Sequence, residues 1–289
     1  MTKKSKGKIL VVGSVVEDTV RLSGGKEKKF PGGTGGNIAY GLGMLGLVPT
    51  LFSVAGKDFN QNYAKHLEKY GVNLKVQIYP KGETAVFYIG KDQEGIHSEF
   101  WKPNVFNKIE KLSLNKKFNT KDLQKIEIAI FSPGTPKSTE KHIKEFCKNK
   151  KNAMVIFDPG QMIGRYTKKQ MTKCIELSDI LILNEFEFIE AEKILKKDPL
   201  KLLQNKILIK TLGGKGSVVY RNGEIIFVET VKPKKVVSAL GAGDAYRAGL
   251  IFGLFNGLTI KKACLLGAKM ASKNIEYLGC QKYKLKKLR

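Results

Sequence analysis

The stretch VVSALGAGDAYRAGL, residues 236–250, decides the fold prediction because it joins a glycine-rich turn to a helix start. Gly241, Ala242 and Gly243 come directly before Asp244, and an apolar helical pattern follows. Glycines at a helix start let a phosphate approach unpaired backbone N–H groups, where the helix dipole favours negative charge. A carboxylate beside such a site can take the proton of an attacking hydroxyl. The alternative is that Asp244 only caps the helix.

The rest of the chain alternates between strand-like and helix-like segments. The continuous apolar stretches AMVIF (153–157) and DILIL (179–183) are typical of strands that are buried on both faces. This order predicts the α/β class, a doubly wound, mostly parallel sheet with helices on both faces. We expect residues 8–16 to form the first strand, and residues 242–257 and 259–275 to form two closing helices.

Two segments interrupt this alternation. Residues 17–31 are polar and rich in turn residues, and residues 76–103 alternate apolar and polar residues around a turn at KDQEG. Such alternation is typical of antiparallel hairpins. We therefore expect one domain over residues 1–289, with these two segments forming a small β-lid beside the main sheet.

Composition excludes several classes of protein. Of the 52 basic residues only five are arginines, and the lysines that supply most of the net charge of +26 are spread along the chain. This distribution favours a solvated surface over a nucleic-acid binder, which would use arginine forks. The four cysteines are far apart and form no zinc motif. No run of 18 apolar residues is present, so we expect a cytoplasmic protein without a membrane span.

A second glycine-rich stretch, PGGTGGNIAYGLGMLG (31–46), places Gly33 and Asn37 at another helix start. It contains a literal G-x-G-x-x-G at residues 41–46, but that match falls inside the predicted helix, so it is weak evidence for a dinucleotide site. The alternative for the whole stretch is a tight turn with close helix–sheet packing.

Two further stretches carry polar or glycine residues at strand ends. LNEFEF (183–188) groups Asn184, Glu185 and Glu187, and oxygen ligands of this kind suit Mg²⁺. The alternative is an ordinary acidic helix start. KTLGGKGSVVY (210–220) forms a glycine-rich loop between strands, which taken alone indicates only a turn.

Taken together, GGTGGNIAYGLGMLG and GAGDAYRAGL resemble the two signatures of the ribokinase-like (PfkB) carbohydrate and nucleoside kinases. NEFE resembles the family's N-x-x-E magnesium motif, TLGGKG resembles its nucleotide loop, and VVGSVVED resembles its first strand with a substrate-binding Asp. The resemblance covers nearly the whole chain. The segments FDPGQ, AYRAG and GCQ are most similar to the archaeal nucleoside kinases of this family.

The resemblance implies transfer of the γ-phosphoryl group of ATP to a primary hydroxyl, with Mg²⁺ as the second cofactor. It also implies that the lid often mediates homodimers. The implied roles are Asp244 as general base; Gly241, Ala242 and Gly243 as the anion hole; Asp18, Gly33, Asn37 and Gln161 around the substrate; Asn184, Thr211, Gly213 and Gly216 around the nucleotide; and Glu187, with Asn184, at Mg²⁺.

The substrate stays open between two kinds of acceptor. A nucleoside phosphorylated at its 5′-hydroxyl is favoured over a free sugar such as ribose or fructose, and a non-catalytic or nucleic-acid-binding homologue is the third reading. The chain departs from the family at Ser238, Ala239 and Leu240, where an Asp and a hydroxyl residue usually precede the glycines. This departure argues against the monovalent cation that some members bind.

Overall fold

The computed structural model describes residues 6–21, 24–59, 62–92, 95–203 and 205–284, with the backbone alone for residues 91, 92 and 95–99. The strands are β1 Ile9–Val12, β2 Val16–Arg21, β3 Glu27–Gly32, β4 Thr50–Gly56, β5 Asn73–Tyr79, β6 Ala85–Asp92, β7 Gly95–Lys102, β8 Ile128–Phe131, β9 Met154–Phe157, β10 Ile180–Asn184, β11 Ile207–Thr211, β12 Ser217–Arg221 and β13 Glu224–Val228. The α-helices are α1 Thr34–Met44, α2 Tyr63–Lys69, α3 Leu114–Lys117, α4 Thr120–Gln124, α5 Pro136–Asn149, α6 Lys168–Glu176, α7 Glu185–Leu195, α8 Ala242–Phe255 and α9 Ile260–Asn274.

The main sheet has the strand order β13-β12-β11-β10-β9-β8-β1-β4-β5 in the described part of the chain. The strands from β11 to β5 in this order pair in parallel, while β12 and β13 add an antiparallel hairpin at one edge. The hairpin turns at Asn222 and Gly223, both with positive φ, as the Asn-Gly pair predicts. The predicted doubly wound, mostly parallel α/β sheet is therefore confirmed.

Two apolar cores lie on opposite faces of this sheet. Alternate residues of β1 show the division, because Ile9 and Val11 belong to one core and Leu10 and Val12 to the other. The first core packs the sheet against α1, α2, α8 and α9, and the second packs it against α5, α6 and α7. The glycine-rich starts of α1 and α8 thus lie on the same side of the sheet.

The first strand is shorter than expected. The prediction of one strand over residues 8–16 is wrong, because β1 ends at Val12 and β2 begins at Val16. The chain leaves the sheet at Gly13, where a β-carbon would lie 3.0 Å from the Cα of Gly35 in α1. Gly13 and Gly35 therefore allow the α1 backbone to approach the end of β1 closely, which an apolar strand pattern does not reveal.

A second sheet, which we call the small sheet, has the strand order β3-β2-β6-β7. Its strands come from the two segments for which a lid is predicted, and β6 and β7 pair antiparallel. The predicted turn at KDQEG includes residues 93–94, which lie outside the described residues. The structure differs from the predicted boundaries at residues 76–79, which belong to β5 of the main sheet.

The two closing helices agree with the predicted ranges to within two residues at each end. In the described ranges, no helix combines the length and the apolar character that crossing a membrane requires.

Candidate active site

Helix α8 places Asp244 at the surface of a cleft. Gly241 precedes the helix in the left-handed conformation, with φ of 75°, and no side chain caps this helix start. Asp244 is half-buried in the first helical turn, and its carboxylate bonds to a different helix. Asp244 therefore does not act as the cap of this helix, which was the alternative interpretation.

One hydrogen bond joins the two glycine-rich stretches. Asn37 Nδ2, in the first turn of α1, donates to Asp244 Oδ2 at 2.8 Å, across 207 residues of sequence. The helices pack closely enough for this contact because a β-carbon at Gly41 would lie only 2.6 Å from that of Ala248. The two starts that the sequence analysis singled out therefore form one site.

A buried chain of hydrogen bonds orients Asn37. Gln281 Nε2 donates to Asn37 Oδ1 at 2.9 Å and to the Tyr63 hydroxyl at 2.7 Å. The Tyr63 hydroxyl in turn donates to the backbone oxygen of Gly32 at 2.5 Å. Because Asn37 Oδ1 accepts from Gln281, its Nδ2 is the atom that faces Asp244.

Asp18 lies on the other side of the same site. It is 4% exposed on β2, and its Oδ2 accepts a hydrogen bond from Cys280 Sγ at 3.4 Å. A β-carbon at Gly32 would lie 2.1 Å from the Asp18 carboxylate, so only glycine leaves room for it. Cys280 also lies against Gly241, where a β-carbon would be 2.8 Å from Sγ. The segment GCQ thus supports both carboxylates.

Burial raises the pKa of both carboxyl groups. The pKa of Asp244 rises to about 6, because its burial outweighs the opposing charge of Arg247 and the hydrogen bond from Asn37. The pKa of Asp18 rises to about 7, again through burial, and the negative charge of Asp244 adds to the effect. A carboxylate with a pKa near the working pH is suited to accept a proton.

Asp244 lies where two cavities meet. The first cavity has a volume of about 460 Å³ and is lined by Asp18, Gly33 and Asn37, with the rings of Phe87, Trp101 and Phe106. The second has a volume of about 620 Å³. Its lining includes the predicted nucleotide and magnesium residues Asn184, Glu187, Thr211, Gly213 and Gly216. Asp244, Ala242, Gly243 and the exposed Gln161 line both cavities.

The amides at the start of α8 are not equivalent. The Ala242 N–H donates to the backbone oxygen of Ala239 at 3.2 Å, so it is already engaged. Within the described ranges, the amides of Gly241, Gly243 and Asp244 make no hydrogen bond. Of the three predicted amides, those of Gly241 and Gly243 are therefore open to an anion and that of Ala242 is not. The amide of Asp244 is a further open donor.

Asn184 and Glu187 form a reciprocal cap at the start of α7. Glu187 N–H donates to Asn184 Oδ1 and Asn184 N–H donates to Glu187 Oε2, both at 2.8 Å. Burial raises the pKa of Glu187. Its second oxygen, Oε1, has no hydrogen-bond partner among the described residues. In that same part of the chain, no cluster of three His, Cys, Asp or Glu side chains could hold a metal ion by itself.

Several residues of the site escaped the sequence analysis. Tyr63 and Gln281 belong to no predicted site pattern, although GCQ contributes to the resemblance. Asp158 and Arg247, which form a buried ion pair at the wall of the second cavity, also fall inside quoted segments without an assigned role. The aromatic lining of the first cavity comes from the small sheet and from the 3₁₀ helix at Phe106–Lys111.

The sequence matches the model of the pfkB family of carbohydrate kinases over residues 6–287. The chain belongs to this family. A pfkB kinase is a phosphotransferase with an alcohol group as acceptor, so this chain is an enzyme of that class.

Individual relatives of this pfkB kinase act on different acceptors. It is 34% identical to a nucleoside kinase of Methanocaldococcus jannaschii over 260 residues, which are 88% of this chain and 82% of the relative. It is 27% identical to an ATP-dependent 6-phosphofructokinase of Thermoanaerobacterium thermosaccharolyticum, over 97% and 95% of the two chains. The crystal structure of the Methanocaldococcus jannaschii nucleoside kinase, an archaeal member of the ribokinase family, superposes with a TM-score of 0.86 and 30% identity. That superposition covers 96% of this chain and 94% of the other.

Replacing Gly32 by alanine should weaken binding of the acceptor substrate. The added β-carbon collides with the Asp18 carboxylate, so Asp18 must leave its position. Loss of a hydrogen bond to a charged group costs about 1.5–3 kcal/mol, which corresponds to a KM raised by about 10- to 150-fold. Steady-state kinetics measure this KM. Gly164→Ala is the matched control, since its β-carbon meets no atom within 4 Å. An unchanged KM in Gly32→Ala would contradict the predicted role of Asp18 in acceptor binding.

Proposed function

We propose that this kinase transfers the γ-phosphoryl group of ATP to the 5′-hydroxyl of a nucleoside, with Asp244 as general base. One observation carries the proposal: the Asp244 carboxylate lies at the junction of two cavities, between the amides that begin α8 and the side chain of Asn37. An acceptor in the first cavity and a donor nucleotide in the second would therefore meet at this carboxylate.

The transfer is an in-line displacement. Asp244 accepts the proton of the 5′-hydroxyl as the oxygen–phosphorus bond forms, and ADP departs with the electron pair of the broken bond. The hydrogen bond from Asn37 fixes the orientation of the base. The free amides of Gly241, Gly243 and Asp244 would stabilise negative charge on the transferred group. Asp18, Gly33 and Asn37 would bind the ribose, and Gln161 lies where it could contact the acceptor.

The lining of the first cavity favours a nucleoside over a free sugar. Trp101 packs against Phe106 with ring centroids 5.3 Å apart and against Phe87 at 6.5 Å. Aromatic surfaces of this kind suit a planar base, while Asp18 and Asn37 offer hydrogen bonds to hydroxyl groups. The likeness to the nucleoside kinase of Methanocaldococcus jannaschii supports the same choice.

The residues of the second cavity fit a magnesium ion that is held mainly by the donor phosphates. Mg²⁺ usually takes one or two carboxylates and completes its shell with water and phosphate oxygens. Glu187 has one such oxygen to offer, because the other is engaged by the Asn184 N–H. Mg²⁺ would neutralise charge on the phosphates, and Thr211, Gly213 and Gly216 would line the nucleotide.

A homodimer through the small sheet is part of the same proposal. Phe100 on β7 is 48% exposed and its ring stacks on Tyr88, with centroids 4.2 Å apart. Phe100 lies on the edge strand β7 and Tyr88 on the neighbouring strand β6, where it is half-buried. The exposed ring of Phe100 offers an apolar contact to a second copy. A monomer mass by light scattering at micromolar concentration would rule this dimer out.

An acceptor panel tests the function. With ATP and Mg²⁺, we expect a purine or pyrimidine nucleoside to give a higher kcat/KM than ribose, fructose or fructose 6-phosphate. Asp244→Asn should lower kcat by at least about a hundredfold, since a positioned general base contributes about 10²–10⁴. Asp122→Asn, on the surface helix α4, is the matched control. Preference for a sugar would select the alternative acceptor. Salt-dependent nucleic-acid binding without ATP turnover would contradict the kinase function altogether.

The pH dependence tests both carboxylates. Asp244 must be ionised in the free enzyme to accept a proton, and Asp18 must be ionised to accept hydrogen bonds from the hydroxyl groups of the acceptor. The pKa is raised to about 6 for Asp244 and to about 7 for Asp18. We expect kcat/KM to fall below about pH 7 and to fall more steeply below about pH 6. In Asp18→Asn only the lower step should remain. A profile that is flat between pH 5 and 8 contradicts the assignment.

A melting temperature at each pH is the control for unfolding. Burial lowers the pKa of His142 to about 4, so the unfolded chain binds a proton there that the folded chain does not. This histidine therefore weakens the fold as pH falls from about 6.5 towards 4, independently of the active site.

A further inference from the structure

Arg247 is a buried cation beside the proposed base. It lies on α8 one turn after Asp244 and is 7% exposed. Long side chains on a helix extend towards its N-terminus, so the guanidinium reaches back to the first turn. The helix dipole disfavours a cation at that end. A buried arginine in this place therefore needs strong partners.

Asp158 is the principal partner. It follows β9, is fully buried, and faces Arg247 with both carboxylate oxygens. Nη2 donates a hydrogen bond to Oδ1 at 2.7 Å, and Nε lies 2.5 Å from Oδ2. Nε and Oδ2 are close in space, but neither makes a hydrogen bond with a described residue, so the contact is one charge-assisted hydrogen bond and one close charge pair. These two points of contact hold the guanidinium in place.

The third nitrogen of Arg247 points towards the anion site. A β-carbon at Gly243 would lie 2.7 Å from Nη1, so this nitrogen is directly beside the first turn of α8. Nη1 makes no hydrogen bond with a described residue. It is also absent from the fully buried side-chain atoms that have no partner, so Nη1 keeps some accessible surface. Arg247, Gly243 and Asp244 line the second cavity together. Nη1 is thus a donor directed at the place where the amides of Gly243 and Asp244 are also open.

The carboxylates around the second cavity explain why a cationic donor is needed there. Asp158, Glu187 and Asp244 are the carboxylates whose charges raise the pKa of Arg247 despite its burial. Asp158 is neutralised by its ion pair, but Glu187 and Asp244 would repel a polyphosphate. A buried ion pair is weak evidence of a stabilising role, because apolar residues of similar volume often serve as well. An arginine retained here with one free nitrogen indicates a ligand.

We propose that Arg247 is a catalytic residue whose Nη1 donates a hydrogen bond to an oxygen of the phosphoryl group in transfer. This inference rests on the proposed phosphoryl transfer at Asp244. Arg247 exchanges no proton in the step: the hydroxyl proton goes to Asp244, the new oxygen–phosphorus bond forms, and ADP takes the electrons of the broken bond. Asp158 is a positioning residue, since it holds the guanidinium so that Nη1 faces the cavity.

Arg247→Ala tests the donor, and Arg221→Ala, an exposed arginine on β12, is the matched control. We expect kcat of Arg247→Ala to fall by about 10²–10³, the loss typical of a missing charge-stabilising donor. KM for the nucleoside should change by less than about threefold, because Arg247 does not line the first cavity. Guanidinium chloride at millimolar concentration should raise the kcat of Arg247→Ala at least tenfold, and it should not raise the kcat of Arg221→Ala. Restoration by the free cation is not expected of a merely structural arginine.

Arg247→Lys covers the case in which the alanine variant fails to fold. It keeps the charge but lacks the planar fork, so we expect kcat at least tenfold below the wild type with an unchanged nucleoside KM. Full activity in Arg247→Lys, or kcat within threefold of the wild type in Arg247→Ala, overturns the inference and leaves the kinase function intact. Absence of kinase activity in the wild type itself would instead refute the proposed function. A folded Arg247→Ala that guanidinium does not restore also overturns the direct contact.

Discussion

The hydrogen bond between Asn37 and Asp244 is the contact on which the site depends. It links the starts of α1 and α8, which leave the same face of the main sheet and are separated by 207 residues of sequence. Two helix starts can come this close only because glycine replaces a side chain where the helices and strands cross, at Gly13, Gly35 and Gly41. The glycine-rich stretches are therefore packing features first, and they place the carboxylate as a consequence.

This arrangement separates two cavities that share one wall. The first is lined by aromatic rings and by the buried Asp18, and the second by polar strand ends and glycines. Since the wall between them is the first turn of α8, donor and acceptor would meet at its open amides and at Asp244. Because this wall is packed against α1, Asp244 is partly removed from water, and its pKa rises to about 6. Such a pKa suits a base that must release its proton in each cycle. Packing and acid–base chemistry thus have a common origin here.

Much of the fold was predictable from the sequence because it depends on local patterns. Apolar strands alternating with amphipathic helices gave the doubly wound sheet, and the Asn222–Gly223 pair gave the edge hairpin. The end of β1 was not predictable, since the close contacts at Gly13 come from Ser132 and from Gly35 of α1, and a strand pattern does not show them. The same limit applies to the ion pair of Arg247 with Asp158, whose partners are 89 residues apart. The bond between Gln281 and Tyr63 spans 218 residues, and no local pattern indicates either contact.

The most direct test of the account is a crystal structure with a nucleoside and a non-hydrolysable ATP analogue bound together. The account predicts the 5′-hydroxyl oxygen within about 2.6–3.2 Å of an Asp244 carboxylate oxygen, the reach that a general base requires. The terminal phosphate should then lie against Gly243 on the other side of the same carboxylate. A nucleoside whose 5′-hydroxyl points away from Asp244, or two ligands that occupy a single cavity, would contradict it.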